Sequence, residues 1–251
     1  MDLRLTDRVA LVTGGSSGLG LACAEQLLAE GARVLITSRS ERALEVAERL
    51  ATEHGDRVRG LVADLGDADA CERTTTAVTE AWGRLDVLVC SGGGPPSSSF
   101  METSDDAWRQ AFDQVFLGPV RLARACVPLM EPGGCIGLVL SNSVYAPISE
   151  LALSNGLRPG LAMAAKTLSD EVAPRGLRVV GLVPGRIATP RTVAVDESSP
   201  EVSAARNRTI PLGRLGTPEE FASVATFMVS PVASYVTGTC VVIDGGALRT
   251  Y

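Results

Sequence analysis

Glycine spacing carries the first chemical signal in this chain. Val9-Ala10-Leu11-Val12-Thr13 is an apolar, β-branched run that breaks into Gly14-Gly15-Ser16-Ser17-Gly18-Leu19-Gly20. Leu21, Ala24, Leu27 and Leu28 then recur at helical spacing as far as Gly31. The pattern predicts strand, tight turn and helix, with Gly31 just past the helix end. Glycine lets the backbone approach a pyrophosphate closely, and the helix start aims free N–H groups and a positive dipole end at the anion. Gly14, Ser16, Ser17, Gly18, Leu19 and Gly20 are therefore candidate nucleotide contacts. A purely structural turn is the competing reading; the strand before and the helix after favour the nucleotide.

Two further stretches are placed relative to that turn. Ile36-Thr37-Ser38-Arg39-Ser40 closes the second apolar run, where a dinucleotide site that prefers a free ribose has an acid. Ser38 and Arg39 stand there instead. A guanidinium fork suits a 2′-phosphate, so the implied cofactor is NADP(H); an ordinary exposed arginine is the alternative. Ala63-Asp64-Leu65 follows the third run. Asp64 can present its carboxylate to an adenine amino group, or Asp64 or Asp67 can cap the next helix.

These residues need a scaffold, and the chain is long enough for one. It has 251 residues, 45% of them apolar, which can bury a large α/β core. Strand candidates fall at 8–13, 33–38, 58–63, 86–91, 135–141, 177–183 and 239–243. Helical patterns alternate with them near 18–29, 41–53, 67–82, 104–130, 156–173 and 218–229. Continuous apolar strands alternating with helices predict a single doubly wound parallel sheet of about seven strands, a Rossmann-type fold with helices on both faces. Residues 1–251 read as one domain, and the aperiodic stretch 186–212 reads as a substrate flap within it.

A net charge of −6 argues against a nucleic-acid or anionic-membrane partner. Six cysteines without a C-x-x-C pair read as buried thiols, and the lone His54 reads as a surface loop residue, so no metal site is expected. The first strand begins within ten residues and no long apolar run follows, which points to a cytoplasmic protein.

The order of motifs resembles the short-chain dehydrogenase/reductase family over essentially the whole chain. Thr13-Gly14-x-x-x-Gly18-x-Gly20 resembles its phosphate turn, and Asp64-Leu65 its adenine contact. Pro184-Gly185-Arg186-Ile187-x-Thr189 is similar to the segment whose threonine binds the nicotinamide end. Gly213-Arg214-Leu215-Gly216-Thr217-Pro218-Glu219-Glu220 and Val242-x-Asp244-Gly245-Gly246 look like its C-terminal signatures. The resemblance is close to the branch of 3-oxoacyl-carrier-protein reductases. It adds Leu65, Ser91, Gly92, Pro184, Gly185, Ile187 and Thr189 to the cofactor set. It also implies a homo-oligomer, tetramer or dimer, built on the 104–130 and 156–173 helices and the last strand, with Leu161, Met163 and Leu168 available.

The same resemblance exposes a departure. The family's catalytic serine falls on Ser141, its tyrosine on Ser154, its lysine on Arg158 and its asparagine on Val115. The Asn-Asn-Ala-Gly after the fourth strand reads Cys90-Ser91-Gly92-Gly93. Serine is a weaker and shorter acid than tyrosine, and arginine does not titrate as a relay. Arg158 can instead bind ribose hydroxyls or a substrate carboxylate or phosphate. Pro159 suggests a helix starting late, capped by Asn155. Tyr145 can replace the missing phenol or simply pack its ring on the flap.

Three functions follow. The first is an NADP(H)-dependent oxidoreductase interconverting a carbonyl and an alcohol on a small or acyl-type substrate, with Ser141, Ser154, Arg158 and Tyr145 as the rebuilt catalytic set. The second is a catalytically impaired NADP(H)-binding protein acting as sensor or subunit. The third is a dehalogenase-like lyase, since halohydrin dehalogenases resemble this chain in carrying arginine at the lysine position, although they keep the tyrosine and give up the nucleotide turn.

Overall fold

The computed structural model describes residues 1–249. Seven strands form one sheet: β1 (Val9–Thr13), β2 (Arg33–Ser38), β3 (Val58–Val62), β4 (Leu85–Cys90), β5 (Met130–Val139), β6 (Arg178–Pro184) and β7 (Thr239–Ile243). Their order is β3-β2-β1-β4-β5-β6-β7, and every pairing is parallel. The inner parallel strands bury both faces, which is why they read as apolar runs, while the edge strands β3 and β7 are only partly buried. Ala10, Val12, Val34, Ile36, Val87 and Val89 face one layer, formed by helices α1 (Gly18–Ala29), α2 (Arg42–His54) and α9 (Pro218–Val229). Val9, Leu11, Leu35, Leu88, Ile136 and Leu138 face the other, formed by α3 (Ala70–Trp82), α5 (Gly118–Cys126) and α6 (Ala152–Val172). Each buried leucine or isoleucine contributes about 1.5–3 kcal/mol of transfer free energy. The expected doubly wound fold is the observed one.

Local chemistry sets several ends. Gly31 follows α1 with φ +87°, and its N–H bonds the Leu28 carbonyl at 3.0 Å. Helix α9 opens on a complete capping box, in which the Glu220 N–H donates to Thr217 Oγ1 at 3.2 Å and the Thr217 N–H to Glu220 Oε2 at 2.8 Å.

Several expectations are corrected. The predicted 104–130 helix is broken into α4 (Asp105–Phe112), a π-helical turn (Asp113–Leu117), α5 and a short 3₁₀ turn (Val127–Leu129). The 186–212 stretch is not structureless, because it holds α7 (Pro190–Ser198) and α8 (Pro200–Arg208). Both are nearly all exposed, so no apolar stripe marked them. Helix α6 starts at Ala152, earlier than expected, and runs through Pro159. Its buried face, which includes Leu153, Leu161, Ala162 and Ala165, outweighs the one backbone bond that proline removes. Asn155 is not a cap; its amide donates to the Ile148 carbonyl at 2.8 Å and its Oδ1 accepts the Ile148 N–H at 3.0 Å. Neither Asp64 nor Asp67 caps α3, whose N-cap is Asp69. His54 ends α2 rather than lying in a loop, and it is half-buried against Arg57. Leu161 is buried in the core, whereas Met163 is exposed. All six cysteines are free, and five are buried. Among the described residues no helix is long and apolar enough to cross a membrane.

Asp86 ties the start of β4 to β1. Its carboxylate accepts from Arg8 at 2.7 Å, from the Val9 N–H at 2.9 Å and from Arg84 at 2.5 and 3.0 Å. Burial pushes the carboxyl up, but the bonds from Arg84, Val9 and Arg8 hold it below the ordinary value. A depressed carboxyl stabilises the fold above its unfolded pKa near ~3.9, and that contribution fades as pH falls through the lower folded value. Asp86→Asn is expected to destabilise the protein by about 2 kcal/mol at neutral pH. In urea titrations its deficit should shrink below pH ~4, because protonation then removes the same charge from the wild type.

Candidate active site

The strand order reverses between β1 and β4, so their C-terminal ends flank a crevice. Thr13 ties the two ends together, donating from Oγ1 to the Ser91 carbonyl at 2.7 Å. Gly14 turns away with φ +60°, and a Cβ there would lie 2.5 Å from that same carbonyl oxygen. A Cβ on Gly20 would lie 2.4 Å from the Gly14 carbonyl oxygen, so this glycine lets α1 start tight against the turn. Gly18, at φ +55°, faces the Thr189 side chain across the crevice. Helix α1 begins with Ser17 making no side-chain cap and with no acid in its first turn. Its amide donors are left for a ligand. The cleft above has a volume of about 790 Å³ and is lined from one side by Gly14, Ser17, Gly18, Leu19, Ser91 and Gly92.

The opposite wall is built from the end of β5 and the first turns of α6. Ser141 caps a 3₁₀ turn (Asn142–Val144), its Oγ accepting the Ser143 N–H at 3.2 Å. Ser143 Oγ lies 3.0 Å from Ser154 Oγ, and both side chains are buried. Arg158 follows one helical turn later on the same face of α6. It is 7% exposed, donates from Nη1 to the Val139 carbonyl, and has no partner at Nε. Burial lowers its pKa to about 10, so it remains a cation at neutral pH. Burial also pushes the nearby Cys90 thiol up to about 11, which leaves it an unreactive thiol. Asp244 braces this wall from just past β7, accepting from Asn142 Nδ2 at 3.2 Å and from the Gly246 and Leu248 N–H groups at 2.8 and 2.7 Å.

Comparison with known proteins agrees with this geometry. A family model described as enoyl-(acyl carrier protein) reductase matches residues 14–247. The human dehydrogenase/reductase SDR family member 4 is 33% identical over 247 residues, covering 96% of this chain and 88% of its own. The 3-oxoacyl-acyl-carrier-protein reductase FabG of Vibrio harveyi is 31% identical over 247 residues, covering 97% and 98%. The chain belongs to the short-chain dehydrogenase/reductase family. The L-sorbose reductase of Gluconobacter frateurii, solved with NADPH and L-sorbose, superposes with a TM-score of 0.94 at 31% identity over all of both chains.

Within this short-chain dehydrogenase/reductase framework the expected residues separate into groups. Gly14, Ser17, Gly18, Leu19, Ser91, Gly92, Ser141, Ser154, Arg158, Pro184, Gly185 and Thr189 line the cleft. Ser16 is buried and Gly20 packs beneath the turn. Ile187 is buried, bridging to Gly216. Ser38 and Arg39 sit at the end of β2 outside the main cleft, with Ser38 Oγ donating to the Ser40 carbonyl at 2.9 Å. Among the described residues Arg39 makes no ion pair. Asp64 accepts the Gly66 N–H at 3.0 Å in an Asx turn, with Leu65 half-buried after it.

Tyr145 does not line the cleft. Its hydroxyl faces the Cys240 thiol, and burial together with that thiol pushes it above the ordinary phenol range. Val115 is buried inside the π-helical turn. Sequence reading missed Ser143, Asn155 as a loop brace, and Arg191, which reaches from α7 to the Gly94 and Pro95 carbonyls. The polar run Ser141-Asn142-Ser143 directly after an apolar strand was the available signal for the first of these.

Gly14 and Gly92 give contrasting tests. Gly14→Ala forces a Cβ into the Ser91 carbonyl at a positive φ and is expected to destabilise by about 1–3 kcal/mol. A Cβ on Gly92 meets nothing within 4 Å. Thermal unfolding should leave Gly92→Ala close to wild type.

Proposed function

We propose that the protein is an NADP(H)-dependent oxidoreductase interconverting a carbonyl and an alcohol, with a non-standard proton donor. One observation carries the reading: a single cleft holds the uncapped start of α1 on one wall and Ser141, Ser154 and Arg158 on the other. The glycine cradle and the free α1 amides fit a dinucleotide pyrophosphate. Arg39, unpaired at the end of β2 with no acid beside it, would hold a 2′-phosphate. Thr189, opposite Gly18, would bind the nicotinamide end.

A bound nicotinamide supplies or accepts the hydride. The remaining work falls to the chain. Ser141 Oγ accepts the Ser143 N–H, which leaves its own O–H to donate to a substrate oxygen. The Ser154–Ser143 hydroxyl pair backs this wall with a second polar group. Serine is too weak an acid to replace a phenol lowered by a neighbouring cation, so water in the open cleft delivers the proton. Arg158, a cation that does not titrate near neutral pH, orients cofactor or substrate from the same wall.

A second reading, an NADP(H)-binding protein without turnover, draws on the buried Val115 and on Tyr145 facing away from the cleft. Two measurements separate the readings. NADPH should quench intrinsic fluorescence at lower concentration than NADH, and Arg39→Ala should weaken NADPH binding about tenfold while sparing NADH. NADPH absorbance should then fall with at least one member of a panel of ketones, oxo acids and 3-oxoacyl thioesters. Tight binding with no turnover leaves the second reading, and no NADPH binding removes both.

A further inference from the structure

Six charged side chains line the cleft: Glu150, Arg158, Arg186, Arg191, Asp196 and Arg206. Four of them form pairs. Arg186 meets Asp196 at 2.5 Å, and Arg206 meets Glu150 at 3.3 Å. Arg158 and Arg191 are left over: among the described residues neither has a carboxylate within 4.0 Å, and Arg191 meets only the Gly94 and Pro95 carbonyls. A chain of net charge −6 thus keeps two uncompensated cations in one cleft. Arg158 is the telling one. Its guanidinium is withdrawn from water, one N–H group meets a carbonyl, and Nε meets nothing. Burial is what chiefly disfavours the Arg158 cation; Cys90 offsets part of this and Arg191 adds a smaller repulsion. A desolvated cation facing another cation is relieved by an anion.

We propose that the cleft selects a short oxo acid, whose carboxylate is gripped by Arg158 with help from Arg191. The proposal rests on the oxidoreductase reading above and narrows its substrate class. Arg158 stands one helical turn from Ser154, on the wall that also holds Ser141, which suits a short substrate whose carboxylate and carbonyl lie close together. A planar guanidinium fork matches a planar carboxylate with two parallel bonds. The pyrophosphate of a dinucleotide has its own donors at the α1 start on the other wall, so it does not need these arginines. In the reaction the carbonyl carbon gains a hydride and its oxygen a proton from water, matched by oxidation of one NADPH. The carboxylate is unchanged, and the product is a hydroxy acid.

The test uses the full-length protein loaded with NADPH. Turnover of 2-oxobutanoate and acetoacetate is compared with that of their methyl esters, and binding of malonate, which has no reducible carbonyl, is followed by calorimetry. The kcat/KM should favour the acids over the esters at least ~10-fold, as expected for a charged hydrogen-bonded pair. Arg158→Gln should erase that preference and malonate binding, and Arg158→Lys, which keeps charge without the fork, should fall between. Arg191→Gln, on an exposed helix, should lower the same ratio and gives the answer if Arg158→Gln does not fold. Equal use of acids and esters, malonate that does not bind, or inorganic phosphate binding better than malonate would overturn the proposal. So would a loss that falls on NADPH affinity and on acids and esters alike, because the arginines would then serve the cofactor. Failure of every form to bind NADPH would instead overturn the oxidoreductase reading.

Discussion

The structure depends on β1 and β4 lying side by side in parallel. A parallel pair cannot be joined by a tight turn, so each strand sends a crossover helix over the sheet before the chain returns. From β1 the chain winds outward to β2 and β3, and from β4 it winds the other way to β5, β6 and β7. The two crossovers leave a gap between the carboxyl ends of β1 and β4 that neither can cover. Thr13 bonded to the Ser91 carbonyl, and Asp86 bonded to the Val9 N–H, hold that pair at its two ends. The cleft is thus a consequence of the winding, and the glycines at 14 and 18 keep it open.

How much of this was legible follows from the physical origin of each signal. Burial on both faces gives a nearly unbroken apolar run in β1, β2, β4 and β6, whereas the edge strands β3 and β7 are only partly buried and β5 starts at Met130, five residues before its apolar part. A positive φ favours glycine, so the turn after β1 announced itself at Gly14 and Gly18. Elements that bury little left no such trace. Helices α7 and α8 present mostly exposed side chains, and their periodicity is correspondingly absent. The π-helical turn at Asp113–Leu117 changes the hydrogen-bond spacing without any special residue type. Pro159 misled in the opposite sense, since its local cost was visible and the tertiary packing of a 21-residue helix was not.

The candidate site was only half visible for a related reason. Backbone-defined contacts, such as those at Gly14, Gly18 and Thr189, can be placed from spacing alone. Side-chain partnerships across the fold cannot. Nothing local says that Asn142 meets Asp244, or that Tyr145 turns to Cys240 instead of the cleft. The pairing of Ser143 with Ser154 joins two segments eleven residues apart and depends on how the β5–α6 connection folds back on itself.

On the proposed oxidoreductase reading, Ser154 and Arg158 in place of a phenol and an amine change the electrostatics of the reduction. A tyrosine beside a lysine can cycle between charge states, so the site need not hold a permanent net charge. Ser154 does not ionise near neutral pH, and Arg158 does not lose its proton there. The site therefore carries a fixed positive charge through every step. A fixed, desolvated cation raises the energy of the resting cleft. An anion carried in with the substrate relieves that cost, because it neutralises the resting charge and leaves when the product does. Neutral substrates would have to be bound and reduced with that charge still unscreened. On that reading, Ser154 and Arg158 favour substrates that bring their own counter-charge.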